Sequence, residues 1–155
     1  MRTTSHVVCQ IALLLLLALV AGAGTAGAQT IGFQAGGSVD PEQFYVGTHF
    51  ESPELASNFA VKVGIDGGFG SDLTSASINL DFLYKISVGT SWKIYQGGGP
   101  VVYIVKATDL DVTETTGGLG IVFGFAHEKG FFTEFRVAGG DGPAVKFGAG
   151  WAIRL

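Results

Sequence analysis

The final stretch, Ala144 to Leu155, reads A-V-K-F-G-A-G-W-A-I-R-L. Val145, Phe147, Ala149, Trp151, Ile153 and Leu155 fall on one side of an extended strand, and Ala144, Lys146, Gly148, Gly150, Ala152 and Arg154 on the other, because strand side chains alternate with period two. One side is apolar and the other is small or charged. The run reaches the last residue of the sequence, so the expectation is that lipid or the chain's own interior covers the apolar side. Lipid makes the strand part of a transmembrane barrel, and a protein interior makes it part of a soluble barrel whose charges meet water.

Composition favours the first reading. Charged residues make up 14% of the 155, against about 25% in ordinary soluble domains, and 25 residues are glycine. That is too little charge to coat a conventional surface. The net charge of −4 argues against a nucleic-acid partner, which needs a basic face.

The N-terminus has the pattern of a secretory leader. Arg2 and His6 precede the apolar run Ile11 to Val20, and small residues lead to Ala26-Gly27-Ala28, an A-x-A cleavage pattern before Gln29. The run is shorter than the ~18 to 20 residues that span a bilayer, so residues 1–28 are expected to be a cleaved signal peptide and 29–155 the barrel domain. The single cysteine, Cys9, precedes the apolar run, which argues against lipid attachment. Loss of Arg2 leaves eight basic residues against 13 acidic ones, a net −5. Export and acidity both fit a bacterial envelope.

From Gln29 onward the pattern is alternation broken by turn residues, without a helical period. Strands are predicted at Ile31–Val39, Gln43–Phe50 and Phe59–Phe69. In the third, Phe59, Val61, Val63, Ile65 and Phe69 oppose Ala60, Lys62, Gly64, Asp66 and Gly68. A fourth sets Ala76, Ile78, Leu80, Phe82, Tyr84 and Ile86 against Ser75, Ser77, Asn79, Asp81 and Lys85, with Leu83 breaking the polar side. The fifth, Trp92–Lys106, is interrupted by Gly97-Gly98-Gly99-Pro100, a bulge, a close backbone approach or a break. A long connection, Ala107 to Thr116, leads to a sixth strand at Gly118–Ala126. Phe131–Ala138 is the seventh and the terminal stretch the eighth, the even number that a single-chain outer-membrane barrel needs.

The non-apolar sides suit a narrow interior. They read Ala-Lys-Gly-Asp-Gly in the third strand and Lys-Gly-Gly-Ala-Arg in the last, and an eight-stranded barrel has room only for side chains inside. Lys62, Lys85, Arg136, Lys146 and Arg154 are expected to pair there with Asp66, Asp81 and Glu134, plugging the lumen. Phe59, Val61, Val63, Ile65, Phe69, Ile78, Leu80, Phe82, Tyr84 and Trp151 are expected to face lipid or form its aromatic girdles.

The chain resembles the small eight-stranded outer-membrane barrels of the OmpA-domain and OmpX type. The resemblance rests on the whole of 29–155, on the terminal Trp151-Ala152-Ile153-Arg154-Leu155, and on Tyr95-Gln96-Gly97-Gly98-Gly99-Pro100, which is similar to an aromatic-plus-glycine fifth strand. It implies an all-β, antiparallel up-and-down transmembrane barrel, monomeric, in the Gram-negative outer membrane. It also implies that Trp151, Ile153 and Leu155 form a signal for the barrel-assembly machinery, although that signal usually ends in Phe and here ends in Leu.

Chemistry is sparse. His49, Glu51 and Ser52 are close in sequence, but adjacent strand residues point to opposite faces and build no nucleophile–base–acid array. His49 and His127 are expected to be solvated or interfacial. Asp109, Asp111 and Glu114 have spacing that could suit calcium but lack the glycine and further ligands of an EF-hand, so a solvated loop is expected. The Gly97 run lacks the lysine and helix of a phosphate-binding loop. The expected role is structural or interactive, with no cofactor, no catalysis and no open pore. The alternatives are a secreted lipocalin-like barrel holding a small apolar ligand, and a lipid-modifying enzyme of the outer membrane.

Overall fold

The computed structural model describes residues 29–55, 57–71, 73–107, 113–140 and 143–155. The expected signal peptide, 1–28, lies outside these. Eight strands follow in order: β1 (Thr30–Val39), β2 (Gln43–Glu51), β3 (Phe59–Phe69), β4 (Leu73–Val88), β5 (Trp92–Ala107), β6 (Thr113–His127), β7 (Phe131–Ala138) and β8 (Val145–Arg154). Each pairs antiparallel with its sequence neighbours, and β8 returns to β1 in register from Thr30↔Arg154 to Val39↔Val145, closing the barrel. Closure leaves every strand with a partner on both sides, the one arrangement that removes sheet edges.

Alternation sorts the side chains as the period requires. In β7, Phe131, Phe135 and Val137 are exposed while Phe132, Glu134, Arg136 and Ala138 are buried. A ten-residue strand such as β1, at ~3.3 Å per residue and tilted by about 40°, rises about 25 Å, the height of a bilayer's apolar band. Gln29, Leu155 and the β2–β3, β4–β5 and β6–β7 connections lie at one end, here the terminal end; the other is the distal end. Tight turns at the terminal end use glycine where the backbone is left-handed, as at Gly130 (φ 103), whose amide donates to the His127 carbonyl at 2.9 Å.

Besides one-residue shifts in β1, β2 and β8, three strands differ from the sequence-based reading. β5 runs unbroken through Gly97–Pro100, with Phe82↔Gly98 and Asn79↔Val101 in one register. Proline has no N–H to give, and the ladder to β4 skips Gly99 and Pro100 without shifting. β4 extends to Leu73 and Val88, and β6 starts at Thr113, which shortens the long connection from both ends. Glu114 is therefore an exposed strand residue, while Asp109 and Asp111 lie outside the described residues.

Candidate functional site

The lumen is filled by side chains, and the small residues opposite them make the room. A Cβ on Gly32 would collide with the His49 ring, on Gly124 with Tyr95, on Gly148 with the Tyr45 hydroxyl, and on Gly150 with Phe132. Large lumen side chains thus lie over glycines of nearby strands, filling the space that the missing Cβ leaves. Four of the 25 glycines are thus the packing complement of four rings.

Two ionic clusters occupy the interior. In the first, Asp81, with no exposed surface, accepts two bonds from Arg136, at 2.9 Å from Nη1 and 2.6 Å from Nη2. Arg136 also reaches Glu134 at 3.4 Å, Lys62 pairs with Glu134 and lies 3.9 Å from Asp81, and the Tyr95 hydroxyl donates to Glu134 at 3.0 Å. In the second, Asp66 accepts from Gln34 at 2.9 Å, Asn79 at 3.1 Å, and Ser77 and Lys146 at 3.3 Å. The Lys146 ammonium lies over the rings of Tyr45 at 5.3 Å and Tyr103 at 5.7 Å. Three cations meet three carboxylates, so the core is neutral, as burial of charge demands. Apolar packing flanks them: Leu83 with Tyr95 and Val122, and Val101 with Tyr103 and Ala138. Leu83, which broke the polar side of its strand, is part of this filling.

The remaining expected lumen charges are placed differently. Lys85 is half-buried and pairs with Glu51 near the terminal mouth, above the core clusters. Arg154 is exposed at the end of β8 and lines that mouth, which corrects its assignment to the lumen network. β8 reaches the rim there, and alternation has no information about height along the barrel axis. Nearby, Lys93 donates to Glu54 at 2.7 Å, and this bond holds the Glu54 carboxyl below the usual carboxylate range. His49 is a second correction: it is buried in the lumen, 8% exposed, and meets Phe132 edge-on. His127 sits at the rim, 4.7 Å from Trp92 between ring centroids. Sequence reasoning also passed over Gln34, Tyr45, Tyr95 and Tyr103 as lumen partners; their inward phase was readable, but not the strand stagger that brings them to the ions.

Outside, 25 large hydrophobic side chains are exposed among the described residues. Phe59, Ile65, Phe69, Ile78, Phe82 and Trp151 are among them, and Val63, Leu80 and Tyr84 are outward but partly covered. Val61 alternates outward yet is only 9% exposed, at the point where Ser52 binds both its amide and its carbonyl. Trp151, Ile153 and Leu155 are all exposed at the terminal end. A soluble protein rarely shows a contiguous apolar patch above a few hundred Å².

The N-terminal β-barrel domain of Pseudomonas aeruginosa OprF matches with a TM-score of 0.63 at 14% identity, over 83% of this chain and 99% of that one. Neisserial surface protein A matches with a TM-score of 0.59 at 14% identity, over 83% of this chain and 96% of that one. The fold is that of the small outer-membrane barrels. No protein-family model and no curated relative matches the sequence. At such identity the outer-membrane-barrel likeness is one of fold, and roles for individual residues rest on this chain's own geometry.

Proposed function

We propose that the chain is a non-conducting barrel of the bacterial outer membrane with a structural or interaction role, exported by its leader and inserted by the barrel-assembly machinery. The observation that carries this reading is the inversion of ordinary protein design: among the described residues, ion pairs lie inside and 25 exposed large apolar side chains outside. Lipid is the solvent in which that arrangement is stable. A lipocalin-like ligand barrel needs the reverse, an apolar lumen and a charged coat. For catalysis, Ser52 is the nearest hydroxyl to His49 on the C-terminal side in sequence, but it donates to the Pro53 carbonyl at 2.9 Å and accepts from the Val61 amide at 3.0 Å. That serves a turn, and it favours an interactive role over an enzymatic one.

Cell fractionation tests the proposal. The protein should sediment with the outer membrane, dissolve only with detergent, and begin at Gln29 by intact mass. Recovery from the soluble periplasm would overturn it.

A further inference from the structure

Each strand of the closed barrel has two partners, but β6 does not keep both along its whole length. It pairs with β5 from Trp92↔His127 to Lys106↔Thr113 in one register, whereas its pairing with β7 stops at Gly120↔Ala138. The strands are unequal: β6 has 15 residues and β7 has eight. Past Ala138 the Gly139 amide donates to the Leu119 carbonyl at 2.9 Å, and Gly140, left-handed at φ 113, turns the chain. A Cβ on Gly140 would stand 3.2 Å from the Gly117 carbonyl, so the β7–β8 connection covers β6 that far. Ala144 then accepts from the Ala138 amide at 3.0 Å and donates to the Asp40 carbonyl at 3.1 Å, on the β1 side.

Residues 113–116, T-E-T-T, therefore have β5 on one side and, among the described residues, no strand on the other. Backbone groups along an antiparallel strand turn alternately to its two neighbours. Because Leu119 offers its carbonyl toward β7, the amides and carbonyls of Thr115 and Thr113 are turned the same way, onto the free edge. Thr113, Glu114 and Thr115 are exposed, and the run has neither the proline nor the lysine that commonly blocks an edge.

A second copy in the same membrane does not fit this edge. Two barrels side by side are related by an axis along the membrane normal, and strands tilted by about 40° would then cross at roughly 80°, far from the alignment a ladder needs. An extended segment of another molecule has no such constraint. Acids flank the place it would take: Glu114 on β6, and exposed Asp40 and Glu42 in the β1–β2 turn, which Ala144 ties to the other side of the gap. None of the three is in an ion pair among the described residues, and Lys106, the cation described at this rim, is itself engaged.

We infer that the β6 edge at 113–116 is a docking site for an extended basic peptide segment, added antiparallel as a ninth strand. Its backbone bonds to Thr113 and Thr115, and a Lys or Arg opposite Glu114 makes a cross-strand charge pair. The inference rests on the interaction role proposed above and gives it a place. Binding by purified protein is independent of cell fractionation, so either can fail alone.

The test places the full chain from Gln29, ¹⁵N-labelled, in phosphatidylcholine nanodiscs. It is titrated with the capped peptide T-K-T-K-T-K-T, its acidic counterpart T-E-T-E-T-E-T, and T-K-P-K-P-K-T, which keeps the charge but lacks the amides that would face β6. The first should shift the Thr113 and Thr115 amides saturably, with a dissociation constant near ~1 mM, and the other two should bind at least about tenfold more weakly. Thr115→Pro removes an amide that β5 does not use, so the barrel should keep its compact gel form while affinity falls at least about tenfold. Glu114→Gln should weaken binding several-fold. No saturable shift up to about 10 mM, equal binding of the proline peptide, shifts centred at the terminal end, or unchanged affinity in either variant would each overturn the inference. So would shifts at 113–116 that grow with protein concentration alone, the mark of a second copy.

Discussion

Asp81 and Arg136 carry the sharpest consequence of a single substitution. Both are buried and joined by two short bonds, so removing one partner leaves an ion in the core without its counter-charge. Breaking such a pair costs about 3 to 5 kcal/mol, while replacing both members by apolar groups of similar volume is often neutral. Asp81→Asn should therefore lower the urea midpoint of vesicle-reconstituted protein by an amount near the bottom of that range, since the amide still accepts one bond. Asp81→Leu combined with Arg136→Met should recover most of the loss. A second pair of substitutions tests facing. Val63, outward on β3, should cost about 2 to 4 kcal/mol as Arg, because a charge then enters hydrocarbon. Lys62→Ala removes an inward ammonium but leaves Glu134 its bonds from Tyr95 and Arg136, a local defect. Comparable loss of insertion in the two variants, scored by the folded fraction on unheated gels, would contradict the assignment of faces.

At the scale of elements, β5 holds the least expected packing. A Cβ on Gly97, Gly98 or Gly99 would run into the carbonyl of Phe82, Gly120 or Leu80, so β4, β5 and β6 approach more closely here than side chains permit. The glycine run is a close approach of continuous strands, one of the three meanings its sequence allowed. Gly98→Ala should consequently destabilise by about 1 to 3 kcal/mol, the usual range for overpacking. A methyl group added to Gly139, in the β7–β8 connection, would meet nothing within 4 Å among the described residues, and Gly139→Ala should be close to neutral. Thermal loss of the compact gel form, measured side by side, distinguishes the two. An equal response would mean that the strands part easily at Gly98.

For the whole molecule the decisive property is a filled lumen. Eight strands enclose little more than their own side chains, and here the interior is bridged by ion pairs from β3 and β4 to β7 and β8. Purified protein in planar bilayers should accordingly show no steady porin-like conductance. Large, stable channels would require the Asp81–Arg136 and Lys62–Glu134 pairs to be open in the membrane. The coat and the filling support each other: lipid outside makes the apolar faces tolerable, and the pairs inside keep buried charges neutral.

The sequence by itself determined the strands and which way most of their side chains point. That follows from backbone geometry: alternation is local, so Lys62 and Val63 must face opposite ways whatever surrounds them, and turn residues mark where each run stops. The same local signal counted eight strands and pointed to lipid through the small, sparsely charged inner faces. What only the tertiary structure decided is height along the barrel axis. Stagger between strands is a relation among distant segments, and it places Arg136 beside Asp81, lifts Arg154 to the rim although it shares its phase with Lys146, and buries His49 over Gly32 although it lies near a strand end. Two residues with the same phase thus meet core or water according to the register of their neighbours, which no single strand encodes.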